Sequence, residues 1–176
     1  MLDGKSVETS MGFSAVEGLP MSTRVGAIDA GILLHLLKTE RMDPEALESL
    51  LYKQSGLLGI SSVSGDMHEL QQSRAPEAAE AIDYFVYHIV KFIGAYTAVL
   101  GGLDALVFTA GIGENSSLIR AKVCEKLGWI GIKLDPAEND RNGLLISGPG
   151  SAVAVLVIPT NEEWMIARHT LMLVAR

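Results

Sequence analysis

The sequence is poor in several features that mark whole protein classes. It holds one cysteine, Cys124, so no disulfide can form within the chain. A lone thiol in the helix-like stretch IRAKVCEKLGW reads as buried and unreactive. That usage fits a reducing cytoplasm. Basic residues are scarce, with 14 Lys and Arg against 21 Asp and Glu and a net charge of −7. Binding a phosphate backbone needs a basic face, so a general nucleic-acid binder is excluded, and any anionic ligand must be held by local groups. Long apolar runs are also missing. The nearest approach to a membrane span, residues 92–113, is broken by Gly101, Gly102 and Asp104, which divides it into a helix end, a turn and a buried strand. No basic start followed by an apolar stretch opens the chain, so no signal peptide is expected. The four histidines show no metal-ligand spacing, and no serine or cysteine lies in a nucleophile motif.

What the chain has is enough apolar material for a core: 176 residues, 48% of them hydrophobic, which is the scale of one domain. Residues 4–13, GKSVETSMGF, alternate in the manner of a strand, and a turn-rich loop extends from there to residue 26. Helices are expected over 27–38 and 43–55, the second with Asp43 as N-cap, Pro44 at its first position and Gly56 as its stop. Together, residues 27–56 read as a helical insertion. Residues 56–70, GLLGISSVSGDMHEL, read as a loop with a short helical turn. The strongest helical signal covers 76–100, where Ile82, Phe85, Val86, Ile89, Val90, Ile93 and Tyr96 recur at three- and four-residue spacing. ALVFTA, residues 105–110, and AVAVLVIPT, residues 152–160, are apolar runs of the kind found in strands covered on both faces. A helix is expected over 116–128, a short strand at 132–135, a surface loop over 136–150, and a closing helix over 161–176. Apolar strands alternating with helices indicate an α/β layer.

Ligands of open α/β sheets sit beyond the carboxyl ends of the strands, and both such junctions here carry chemistry. After the first strand, Gly111 and Gly113 would let backbone amides approach a phosphate. A plain turn explains them equally well, because Ser116 breaks a GxGxxG pattern and no GxxxxGK[ST] exists. After the second strand stand Glu162 and Glu163. Thr160 and Glu163 have capping-box spacing, which leaves Glu162 free to hold Mg²⁺ directly or through water. Arg24 lies in a loop, where a planar guanidinium suits a phosphoryl transition state and a solvated charge is the bland alternative. Asp66 and His68 are ordinary turn residues by default.

Four segments in order, GKSVETSMGFSAVEGLPMSTRVGAID, SGLLGISSVSGDM, FIGAYTAVLGGLDALVFTAGIGENS and VIPTNEEWMIAR, resemble the C-terminal half of the acetate and propionate kinases. The resemblance implies a truncated ribonuclease-H-like domain of the actin and sugar-kinase superfamily, a small mixed sheet flanked by helices. It implies phosphoryl transfer between ATP and acetate, giving acetyl phosphate and ADP, with Mg²⁺ accompanying the nucleotide and a cytoplasmic homodimer as the assembly. The alternatives are a propionate kinase fragment and a non-catalytic module that only oligomerises or binds nucleotide. By the same resemblance Arg24 matches the arginine that stabilises the transferring phosphoryl group. Asp66, Met67 and His68, together with Gly111, Ile112, Gly113, Glu114 and Asn115, match nucleotide-binding segments, and Glu162 matches the magnesium-linked glutamate. His68 departs from the arginine usual after DM, Ser22 from the glycine usual before TR, and Val25 and Ala27 from commonly small or acidic neighbours. The chain reads as one C-terminal nucleotide-binding and dimerisation domain over 1–176, without the N-terminal domain and the first strands. Negligible turnover is therefore expected of it alone.

Overall fold

The computed structural model describes residues 1–174 and divides into two compact units, Met1–Gly102 and one that begins at Leu103. No helix among the described residues is long and apolar enough to cross a membrane.

The first unit is helical: α1 (Ala30–Lys38), α2 (Pro44–Lys53), α3 (Gly56–Ser61), α4 (Met67–Gln72) and α5 (Pro76–Leu100). Aspartates start three of these helices. Asp29, Asp43 and Asp66 accept hydrogen bonds from Gly31 N, Ala46 N and His68 N at 2.6, 2.8 and 2.7 Å, which satisfies amides that have no partner inside the first turn. The core is one face of α5. Ala78, Ala81, Ile82, Phe85 and Val86 are buried there, against Leu57 of α3 and Met67 and Leu70 of α4. Each fully buried leucine or valine contributes about 1.5–3 kcal/mol. Beyond His88 the stripe is less covered than its period predicts, and Ile89, Val90, Ile93 and Tyr96 are half-buried. Gly101, in the left-handed region at φ 75°, ends α5 as expected.

Three expectations for this unit need correction. The strand over 4–13 does not form. Leu2 and Lys5 exchange backbone hydrogen bonds of 2.9 and 3.0 Å across a tight turn, and residues 6–13 are irregular and mostly exposed, because a strand needs a neighbour to take its ladder bonds. Gly56 does not stop α2 but opens α3. The stretch 56–70, read mainly as loop, holds α3 and the start of α4, since packing Leu57 and Leu70 on α5 overrides weak local propensity.

The second unit contains β1 (Ala105–Phe108), α6 (Ala110–Asn115), α7 (Ser117–Lys126), a 3₁₀ turn at Gly128–Ile130, α8 (Pro136–Asp140), β2 (Ala154–Val157) and α9 (Glu162–Val174). The α/β class is as expected. β1 and β2 run parallel, in register from Ala105 opposite Ala154 to Phe108 opposite Val157. On the other side of β2, Leu145 forms an antiparallel bridge with Leu156, with Ile146 N donating to Val155 O at 2.8 Å. The small mixed sheet is thus a parallel pair with an antiparallel bridge beside it. Ile119, Val123, Leu127, Ile146, Val153, Val155 and Val157 form the core.

Here too the structure departs from the sequence reading. β1 is covered on one face only, because Ala105 and Val107 are exposed while Phe108 is buried. Residues 132–135 make a single bridge, Leu134 with Ser147. The loop expected over 136–150 contains α8, which Asp135 caps through Ala137 N and Glu138 N. The closing helix is exposed along its described length, Trp164 by 55% and Leu173 by 72%. The last two residues of its expected range lie outside the described residues.

Candidate functional site

In the first unit the structure brings together the Arg24 loop and the segment 66–68. The loop is clamped to the α2–α3 linker through its backbone. Val25 N donates to Leu51 O at 3.0 Å, Ser55 N to Thr23 O at 3.0 Å, Leu57 N to Met21 O at 2.9 Å and Leu58 N to Ser22 O at 3.0 Å. Thr23 Oγ1 adds a bond to Tyr52 O at 2.8 Å. The Arg24 side chain is half-buried. Its hydrogen bond to Met21 Sδ, at 3.7 Å, is a weak one, and no carboxylate pairs with it among the described residues. Val25, Gln54, Ser55, Gly59, Ile60 and Tyr84 border an open cleft of about 300 Å³ beside this loop.

Gly65 packs directly on Ser22; a Cβ there would fall 2.5 Å from Ser22 Oγ. Of the next three residues, Asp66 caps α4 through His68 N and Glu69 N, and Met67 is buried in the core. The His68 side chain is exposed and touches Gln72 Nε2 at 2.8 Å. Of the three, Met67 is closed off, while the exposed Asp66 and His68 side chains remain open to solvent.

In the second unit the two strand-to-helix junctions are joined. Thr109 Oγ1, at the end of β1, donates to Ile158 O at 2.7 Å. Residues 110–115 form α6, where the sequence suggested a glycine bend. The sharp turn falls on Ala110, at φ 59°, a conformation that costs a non-glycine residue about 1 kcal/mol or more. The Glu114 carboxylate holds it there. Its Oε1 accepts from Ala110 N at 2.7 Å, from Thr160 N at 2.9 Å and from Thr160 Oγ1 at 3.1 Å. The Thr160 amide, foremost among these donors, keeps the Glu114 carboxyl below the ordinary carboxylate range. Asn115 Nδ2 donates back to Gly111 O at 2.8 Å. Glu114 and Asn115 are thereby engaged in shaping the segment. At Gly111 a Cβ would meet nothing within 4 Å, so nothing in the described chain crowds that position.

Across the junction, Thr160 and Glu163 do not form the expected capping box. The Thr160 hydroxyl is taken by Glu114, and Asn161 Oδ1 accepts from Trp164 N at 2.9 Å. Glu162 and Glu163 open α9, and both are exposed. Among the described residues no group of three or more His, Cys, Asp or Glu could hold a metal. Magnesium takes one or two carboxylates together with water and phosphate oxygens. An exposed glutamate beyond a strand end therefore fits a magnesium ion arriving with a nucleotide.

One residue escaped the sequence reading. Arg120 of α7 is fully buried, and its NH1 donates to Gly113 O and Glu114 O at 2.9 and 3.0 Å. Its signal was present: Ile119, Arg120, Val123 and Cys124 are buried together at helical spacing, which puts an arginine on an apolar stripe.

Parallel strands that feed helices at their carboxyl ends form the ligand-bearing edge of open α/β sheets. By fold and by these two junctions the chain is an α/β protein of that kind. The sequence model of the acetokinase family matches residues 1–168, and the chain belongs to this family of kinases. An acetate kinase of Nitrobacter hamburgensis is 52% identical over 170 residues, covering 97% of this chain and 42% of the relative. The crystal structure of Porphyromonas gingivalis acetate kinase superposes with a TM-score of 0.86 at 40% identity, covering 94% of this chain and 43% of that one. A propionate kinase from Francisella tularensis superposes with a TM-score of 0.90 at 39% identity, covering 95% and 44%. The chain thus spans less than half the length of these relatives.

Proposed function

We propose that this chain is the part of an acetate kinase that carries one wall of its nucleotide site. In the reaction a carboxylate oxygen of acetate attacks the γ-phosphorus of ATP. A phosphorus–oxygen bond forms, the bond to the β-phosphate bridge breaks, and ADP leaves with the electron pair. The observation that carries the proposal is Arg24, a half-buried guanidinium with no carboxylate partner among the described residues, on a loop clamped through its backbone. An arginine kept in this way suits an anion from outside, and its planar fork matches the oxygens of a transferring phosphoryl group. Gly111 to Asn115 would present backbone to the nucleotide, with room at Gly111 for close approach. In the segment from Asp66 to His68, Met67 anchors the backbone in the core, and the exposed Asp66 and His68 side chains would face the nucleotide. Glu162 would hold Mg²⁺, which neutralises charge on the phosphates.

Phosphoryl transfer depends on groups converging from several directions on one phosphorus. A chain spanning 42% of its relative's length supplies only some of them, so negligible turnover is expected from it alone. The exposed apolar side chains of α9, Ile166 and Leu171 among them, favour association as a homodimer. A single cysteine, which can form no disulfide within the chain, suits a reducing cytoplasm. Propionate is the second reading for the acyl acceptor, favoured by the Francisella structure.

Calorimetry and a hydroxamate assay for acetyl phosphate test these statements together. Binding of Mg-ATP without acetyl-phosphate formation is expected. Absence of binding would refute the nucleotide wall, and robust product formation would refute the half-site reading.

A further inference from the structure

We propose that Arg120 is the positioning residue of the candidate nucleotide segment 111–115, acting as a side-chain cap on the carboxyl end of α6; this rests on the nucleotide reading of that segment. A six-residue helix ends with carbonyls that have no partner of their own. Arg120 supplies one, its NH1 donating to Gly113 O and Glu114 O at 2.9 and 3.0 Å. The rest of the guanidinium is held from the opposite side. Nε donates to Asn139 Oδ1 at 2.8 Å, and NH2 to Asn139 O at 2.7 Å and Asn142 Oδ1 at 2.6 Å. Asn139 in turn donates to Ser117 O at 2.9 Å, which ties the start of α7 into the same network. Every acceptor of the buried cation is a neutral oxygen. Burying an arginine on such terms is costly unless each donor is satisfied, and here the fork satisfies them by joining α6 to α8 and Asn142. Glu114 fastens the amino end of α6 through Ala110 N and Thr160, and Arg120 fastens its carboxyl end. Between the two anchors lie Gly111 and Ile112, whose backbone a phosphate would approach.

The test uses this chain with Arg120→Lys. Lysine keeps charge and stem, but one ammonium cannot reach the α6 carbonyls and the asparagines together. Hydrogen exchange of a peptide covering 109–116 should speed up by about tenfold, and Mg-ADP affinity measured by calorimetry should fall by about tenfold, the worth of one charge-assisted hydrogen bond. A peptide covering 82–90 should exchange as before. Wild-type affinity in the Lys variant overturns the assignment and leaves the nucleotide wall standing. Failure of the unsubstituted chain to bind Mg-ADP overturns the wall and the assignment with it. If Arg120→Lys unfolds, Asn142→Gly decides. Asn142 sits at φ 54°, which glycine accepts freely, so that variant removes one acceptor without backbone strain. An affinity loss of about threefold supports the clamp, and unchanged affinity overturns it.

Discussion

Gly56 is the residue on which the placement of Arg24 turns, and Gly56→Ala is the substitution that tests it. Its φ is +61°, and an added Cβ would lie 2.1 Å from Met21 O and 2.7 Å from Arg24 O. The substitution carries two costs. The left-handed backbone costs an alanine about 1–2 kcal/mol. The Met21 carbonyl must also retreat by roughly 1 Å to reach ordinary contact, which breaks its 2.9 Å bond from Leu57 N and disturbs the 3.0 Å bond from Met21 N to Arg24 O, each worth about 1 kcal/mol. The sum is about 2–4 kcal/mol. Gly101→Ala is the matched control. It lies in the same unit at φ +75°, with nothing within 4 Å of the added atom, and should lose the first term alone, about 1–2 kcal/mol.

The assay can be confined to the right unit. All four tyrosines (52, 84, 87 and 96) precede Leu103, and both tryptophans (129 and 164) come after it. Second-derivative absorbance in a urea melt therefore follows the tyrosines of the first unit apart from the tryptophan signal. The tyrosine transition should move to lower urea for both variants, and further for Gly56→Ala. Equal shifts for the two variants would refute the claim that backbone contact at Gly56 sets the Arg24 loop.

Glu114 should give the α6 anchor a dependence on pH. Its carboxyl is depressed in the folded state, so its contribution is fully present above the unfolded carboxylate value of about 4.3 and is lost as pH falls through the lower folded value. Hydrogen exchange at Ala110 and Thr160, corrected for the intrinsic rate, should accelerate in that acid window, and Glu114→Gln should remove the dependence. Burial raises the Cys124 thiol to about 11, so a disulfide reagent at neutral pH should leave the native chain unlabelled until urea unfolds it; rapid native labelling would contradict its buried place in α7. Asp66→Ala should lower the tyrosine transition by about 1 kcal/mol through loss of the α4 cap, whereas Asp66→Ser should preserve it. Calorimetry with Mg-ADP on the Ser variant then reads any contact of the carboxylate with nucleotide, free of the capping effect.

Elements with a strong local signature were legible. Asp43 and Pro44 mark α2, the apolar stripe with its terminal glycine marks α5, and the apolar run marks β2. The misses share one cause, which is that tertiary neighbours decided the outcome. GKSVETSMGF alternates like a strand but has no partner for its ladder. GLLGIS is composed like a loop, yet it coils because Leu57 finds a place on α5. ALVF is apolar throughout, and still Val107 is exposed because β1 is an edge strand with one open face.

The site shows the same division at finer scale. Residue types at the two junctions and in the Arg24 loop were readable from their chemistry, but not how each side chain is employed. Glu114 is tied to Thr160 across 46 positions, and Arg120 to Asn142 across 22, and no local pattern encodes such pairings. Once they are known, the polar candidate residues of the two units fall into two sets. Asp66, Glu114, Asn115, Thr160 and Arg120 each have hydrogen bonds that shape the segments around them, so their substitution acts first on geometry. Arg24 and Glu162 have no carboxylate or cationic partner among the described residues, and the exposed ring of His68 touches only a glutamine. Charged groups left unpaired gain little for the fold, and on the function proposed above their role is binding. On this argument substitution of Arg24 or Glu162 should leave the urea melt unchanged and alter only the proposed binding of nucleotide and magnesium.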